Sequence, residues 1–91
     1  PEWIDTVNCY DAVEMVKAQF ASIYDFKDKI PQWIEEATLH NGIRMIESGM
    51  AKIKDLEDKI PAWINRAMRS QEMKMIELGM ATPEDFKEIN G

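Results

Sequence analysis

A single cysteine, Cys9, and a single histidine, His40, are all the thiol and imidazole chemistry that this chain of 91 residues holds. One cysteine closes no intrachain disulfide, so nothing calls for an oxidising compartment and a cytoplasmic setting is the default expectation. A zinc site draws three or four ligands, mostly His and Cys, so no zinc site is expected on inventory alone. Glycine is sparse as well: there are four, none in a G-x-G pattern, so no phosphate-cradling loop and no nucleotide cofactor are expected. No apolar run approaches the roughly 18 residues of a membrane span, and no charged-then-apolar leader opens the chain. Alternating β-branched runs and hairpin dipeptides between them are missing too, which leaves no strand signal. Base is the scarcer charge, 11 Lys and Arg against 17 Asp and Glu for a net charge of -6. Such a surface repels phosphate backbones, and nucleic acid is not an expected partner.

What the chain does have is one phrase written three times. Pro1-Glu2-Trp3-Ile4, Pro31-Gln32-Trp33-Ile34 and Pro61-Ala62-Trp63-Ile64 are spaced thirty residues apart, and at the same register Met15/Met45/Met75, Ala21/Ala51/Ala81 and Asp25/Asp55/Asp85 also match. The second and third copies share more, among them Ala37/Ala67, Gly49/Gly79 and Met50/Met80. A fixed period of this length signals stacked supersecondary units, none of which buries its apolar face alone. The expectation is one all-α domain over 1–91, built of repeats 1–30, 31–60 and 61–90 stacked as a short solenoid or closed ring. Charge is graded along it, with six acids against three bases in the first copy, six against four in the second and five against four in the third.

Within a copy the signals are helical. Proline at the head fits a first helical turn, where its missing N–H costs nothing. Leu39, Ile43, Ile46 and Met50 then recur at helical spacing, and Ile34, Ala37 and Met45 with Trp33 border a second stripe. Gly49 and Gly79 stand where a left-handed C-cap would end the helix. Thr82-Pro83-Glu84-Asp85 reads as the start of a short further helix. Asn41-Gly42 is a turn dipeptide, so a break or kink of the longer helical stretch is expected there. The recurrent Trp residues read as packing framework, with Trp33 in the middle copy expected to lose most contacts when truncated. Asp25, Asp55 and Asp85 lack the spacing of a calcium loop and read as acids at helix N-termini.

The tail Ile76-Glu77-Leu78-Gly79-Met80-Ala81-Thr82-Pro83-Glu84-Asp85-Phe86-Lys87-Glu88-Ile89-Asn90-Gly91 resembles the end of small XkdX-like phage tail-module proteins, which close in a similar helix, Gly turn and Thr-x-Glu-acid-aromatic helix. Met80-Ala81 departs from the aromatic-isoleucine pair expected after the glycine, and the Pro-x-Trp-Ile phrase has no counterpart there. The resemblance implies a phage origin and a protein-interaction role, and it carries over no catalytic residue. The start at Pro1, with no Met, leaves an engineered origin open.

Divergence on a shared frame is where specificity can reside in a repeat protein, and it is equally what drift on an idle surface leaves. The copies differ most from Asn8-Cys9-Tyr10-Asp11 to Thr38-Leu39-His40-Asn41 to Met68-Arg69-Ser70-Gln71. Tyr10, Asp11, His40, Asn41, Ser70 and Gln71 are therefore the candidate binding surface of a non-enzymatic interaction or structural module with a protein partner. Two rivals remain at this point. One is an acidic inhibitor that mimics nucleic acid, its charge concentrated in the first copy. The other is an enzyme on an engineered helical scaffold, with Cys9 as nucleophile and His40 and Tyr10 beside it, which requires the imidazole within hydrogen-bond reach of the thiol.

Overall fold

The structure, a computed structural model, describes residues 6–90, with side chains described through Lys87. Pro1, Trp3 and Ile4 of the first phrase lie outside the described residues. The chain is all-helical, with no strand among the described residues. In order it forms α1 (Cys9–Lys17), a 3-10 turn (Ile23–Phe26), α2 (Ile30–Glu35), α3 (Leu39–Ser48), α4 (Ile53–Leu56), α5 (Ile60–Arg66), α6 (Arg69–Leu78) and α7 (Pro83–Asn90).

Caps chosen by the sequence set these boundaries. Asn8 Oδ1 accepts the Asp11 N–H at 2.8 Å to start α1, and Thr38 Oγ1 accepts the Asn41 N–H at 3.3 Å to start α3. Met68 has no oxygen to offer at the head of α6, and there the bond runs backwards, from the Met68 N–H to Gln71 Oε1 at 2.9 Å. The recurrent aspartates do the same at the short helices: Asp25, Asp55 and Asp85 accept the N–H of Ser22, Lys52 and Thr82 at 2.9, 2.9 and 2.7 Å. That reach-back is the acidic half of a capping box, and it gives the matched Asp a structural reason.

The long helices close alike. Gly49 and Gly79 take left-handed φ values of 86° and 83°, and the carbonyls of Met45 and Met75 accept the N–H of Met50 and Met80, both at 2.8 Å. This is the six-to-one bond of a Schellman cap. The first copy makes the same bond, Phe20 N–H to the Met15 carbonyl at 2.8 Å, with Gln19 forced to φ 66° in place of glycine.

The break expected at Asn41-Gly42 is not there. Both residues lie inside α3, and the chain breaks earlier, at Ala37-Thr38, with the equivalent break at Ala67-Met68. Gly42 answers to packing: a Cβ on it would stand 2.6 Å from Trp63 Cη2 and 2.8 Å from Cζ3. The glycine lets α5 lay its indole on α3. Trp63 is accordingly buried while Trp33 is only half-buried, with its ring 5.8 Å from Phe26. The better-seated of the two indoles is thus in the third copy and not the middle one, and the position equivalent to Gly42 one copy earlier is Ala12.

One apolar core runs through the molecule, with Val13, Phe26, Met45, Leu56 and Met75 fully buried and no buried polar or charged residue among those described. Helix α3 packs against α1 on one side and α6 on the other, and α5 packs against α7. The molecule measures 50 × 22 × 18 Å along its principal axes.

Candidate functional site

The contacts between α1 and α3 join residues of equal offset, so the two helices run in the same direction and in register. The rings of Tyr10 and His40 stack at 6.2 Å between centroids with 12° between planes. One turn on, Arg44 Nη2 lies 2.7 Å from Glu14 Oε1. The guanidinium also sits over the Tyr10 ring, 4.2 Å from its centroid, so His40 and Arg44, one turn apart on α3, both meet the Tyr10 ring of α1. Tyr10 keeps 46% of its surface exposed. Arg44 is far more enclosed, its side chain 15% exposed. Its contact with Glu14 is an ion pair and not an aligned hydrogen bond, and the buried Nε and Nη2 hydrogens find no well-directed acceptor among the described residues.

Between α3 and α6 the row continues with a small residue. Ser70 stands at the offset of Tyr10 and His40, and where an aromatic ring would stand its short side chain leaves an open depression. The depression has a volume of about 210 Å³, bordered by His40, Arg44, Glu47, Ser70, Gln71 and Lys74. Lys74 Nζ reaches Glu47 Oε2 at 2.9 Å across it. That bond holds the Glu47 carboxyl below its ordinary range, against the opposing effect of partial burial, and raises the Lys74 ammonium. A volume of this size is below the several hundred Å³ of a drug-sized pocket and suits one side chain of a peptide.

The six residues singled out from sequence divide by position. Tyr10, His40 and Ser70 come together as a row across α1, α3 and α6, and Gln71 borders the depression beside them. Asp11, Asn41 and Gln71 share the third position of their helices, where the caps act: the Asp11 and Asn41 backbone N–H groups are capped, and the Gln71 side chain is itself the cap. Part of the divergence at these offsets is therefore a change of capping device. Arg44, Glu14, Glu47 and Lys74 were not singled out from sequence. Their signal was present, an acid at Glu14 exchanged for bases at Arg44 and Lys74 at one offset, which is what side-by-side helices need for pairing.

The thiol chemistry required by the enzyme reading is not favoured here. Burial pushes the Cys9 thiol above its ordinary value, and the nearby Arg44 charge offsets this only in part. A thiol shifted that way holds its proton more tightly, the reverse of an activated nucleophile. His40 spends its ring face on Tyr10. Among the described residues no group of three His, Cys, Asp or Glu side chains could hold a metal ion, and no helix is long and apolar enough to cross a membrane. No protein-family model, curated protein or solved structure matches this chain.

Proposed function

We propose that this chain is a non-enzymatic helical-repeat module whose thirty-residue units stack as a short open solenoid and present the Tyr10–His40–Ser70 row to a protein partner. The long axis of 50 Å against 22 and 18 Å supports an open stack over a closed ring. The same-offset contacts between α1 and α3 support stacking by translation of one unit onto the next.

The observation that carries the binding reading is Arg44. A guanidinium enclosed to 15% exposure, with Nε and Nη2 lacking aligned acceptors, sits between a half-exposed tyrosine and a side-chain-sized depression. Buried donors demand acceptors, and an incoming peptide carbonyl or carboxylate supplies one. Tyr and Arg are also the residue types that carry most binding energy at protein interfaces. Resemblance of residues 76–91 to small phage tail-module proteins supports the same class of role, in a phage structural assembly.

The test is calorimetry with a peptide selected by display on the wild-type chain. Tyr10→Ala with His40→Ala removes the ring stack and should weaken that peptide at least tenfold, about 1.4 kcal/mol. Both residues are exposed, so the melting temperature should stay near that of wild type. Unaltered affinity would sink this surface.

A further inference from the structure

The second and third copies of the Pro-x-Trp-Ile phrase show what that phrase does: each lays its indole on the preceding thirty residues. Trp63 lies over Gly42 of α3, whose missing Cβ would also be 3.5 Å from Leu56 of α4, and Trp33 lies against Phe26. In these two copies the long helices are closed to solvent at one shared offset, Val13 being 0% exposed and Ile43 7%. In the third copy the groove between α6 and α7 is open. It is lined by Arg69, Glu72, Met73, Ile76, Pro83, Phe86 and Lys87, with a volume of about 360 Å³. Met73, at the offset of Val13 and Ile43, is 65% exposed.

The opposite end of the molecule has a matching exposed residue. Met50 and Met80 follow the capping glycines and are each 5% exposed, whereas Phe20 at the same offset is 81% exposed. The reason lies in the unit before. The turn at Gly49 packs toward Ile23 and the turn at Gly79 toward Ile53, at 3.5 and 3.6 Å from where a Cβ would stand. The turn at Gln19-Phe20 leaves Phe20 in solvent. Stacking of a further unit would thus cover Met73 at one end and Phe20 at the other.

We infer that the chain associates head to tail with a second copy of itself: Pro1-Glu2-Trp3-Ile4 of one molecule seats in the α6–α7 groove of the next, and α7 of that next molecule covers Phe20. Charge agrees with the pairing. The first phrase carries two carboxylates, Glu2 and Asp5, where the third has Ala62 and Asn65, and the groove sets Arg69 and Lys87 against the single acid Glu72. The contact is heterologous, so each molecule retains one free end and the assembly grows beyond a dimer. Glu72 stands where Gly42 and Ala12 stand, on the seat of the indole. It keeps the contact weaker than the internal junctions, and Glu72→Ala should strengthen association severalfold.

Sedimentation velocity of the full chain from micromolar to millimolar concentration tests this. Wild type should gain mass continuously past the dimer. Trp3→Ala should stay monomeric, as should Met73→Glu. Phe20→Glu breaks the same end as Trp3→Ala at a side chain already in solvent, and it stands in should Trp3→Ala fail to fold by circular dichroism. An equimolar mixture of Phe20→Glu with Met73→Glu should form a dimer and stop there, since each variant keeps one working end. A wild-type chain that stays monomeric throughout, or variants that remain monomers when mixed, would overturn the inference, and a wild-type chain that stops at a dimer would overturn it in favour of a two-fold contact.

Discussion

Replacing Gly42 by alanine tests how closely α5 is seated on α3. On an open helix face the change stabilises by about 1 kcal/mol, because glycine is the poorer helix former. At this site the new methyl would stand 2.6 Å from Trp63 Cη2 and 2.8 Å from Cζ3. Carbon atoms pack at about 3.5 to 4.0 Å, so the ring or the helix must yield by about 1 Å. Trp63 is 5% exposed and cannot swing aside without leaving the core. Overpacking of this kind costs about 1 to 3 kcal/mol. Set against the propensity gain, the net expectation is a loss of about 1 kcal/mol, or a melting temperature lowered by about 4 to 8 °C. The sign should depend on the indole. In a Trp63→Phe background the benzo edge carrying Cη2 and Cζ3 is gone, and Gly42→Ala should then stabilise by about 1 kcal/mol. Thermal and urea unfolding of the four proteins closes a double-mutant cycle. A stabilising Gly42→Ala in the wild-type background, or the same effect in both backgrounds, would refute the seating of Trp63 on Gly42.

Three further outcomes follow from the same packing and capping. Trp63→Ala should cost about 3 to 5 kcal/mol and more than Trp33→Ala, since Trp63 is the buried indole; equal losses in urea unfolding would contradict this. Gln19 holds a left-handed φ of 66° where the other two copies use glycine, so Gln19→Gly should raise stability by about 1 kcal/mol, and an unchanged or lowered melting temperature would mean the first turn is not strained. Lys74 holds Glu47 below its ordinary range, so this carboxylate stabilises the fold above its unfolded pKa and the contribution is lost as pH falls through the lower folded value. Lys74→Met should bring the Glu47 midpoint in an NMR titration back up toward the ordinary glutamate range, with little change in stability at neutral pH because the pair is largely exposed; an unmoved midpoint would mean that the pair does not form in solution.

Local grammar was the legible part of this fold. Gly49, Gly79 and Thr82-Pro83 mark helix ends through backbone chemistry within a few residues, and the structure ends and starts helices there. Asn41-Gly42 misled because its glycine serves an indole more than twenty positions away, and a turn dipeptide carries no trace of so distant a neighbour. Gln19 was hidden for a related reason. Its side chain gives no sign of a left-handed φ, and only its register with Gly49 and Gly79 does. At the candidate site, Tyr10, His40 and Ser70 were visible as divergence on a frame, while Arg44 showed only as a base exchanged for Glu14 at one offset, a signal that gains meaning once α1 and α3 lie side by side. Asp11 and Asn41 stood out for the same divergence, and the structure shows capped helix starts beneath it.

Backbone amide NMR of the full chain, titrated with the display-selected peptide, tests the proposed recognition face most directly. The account predicts that shifts concentrate on Tyr10, His40, Arg44, Ser70 and Gln71, across three helices that are adjacent only when the units stack in register. Shifts confined to Met73, Ile76 and Phe86, with Tyr10 and His40 unmoved, would contradict it.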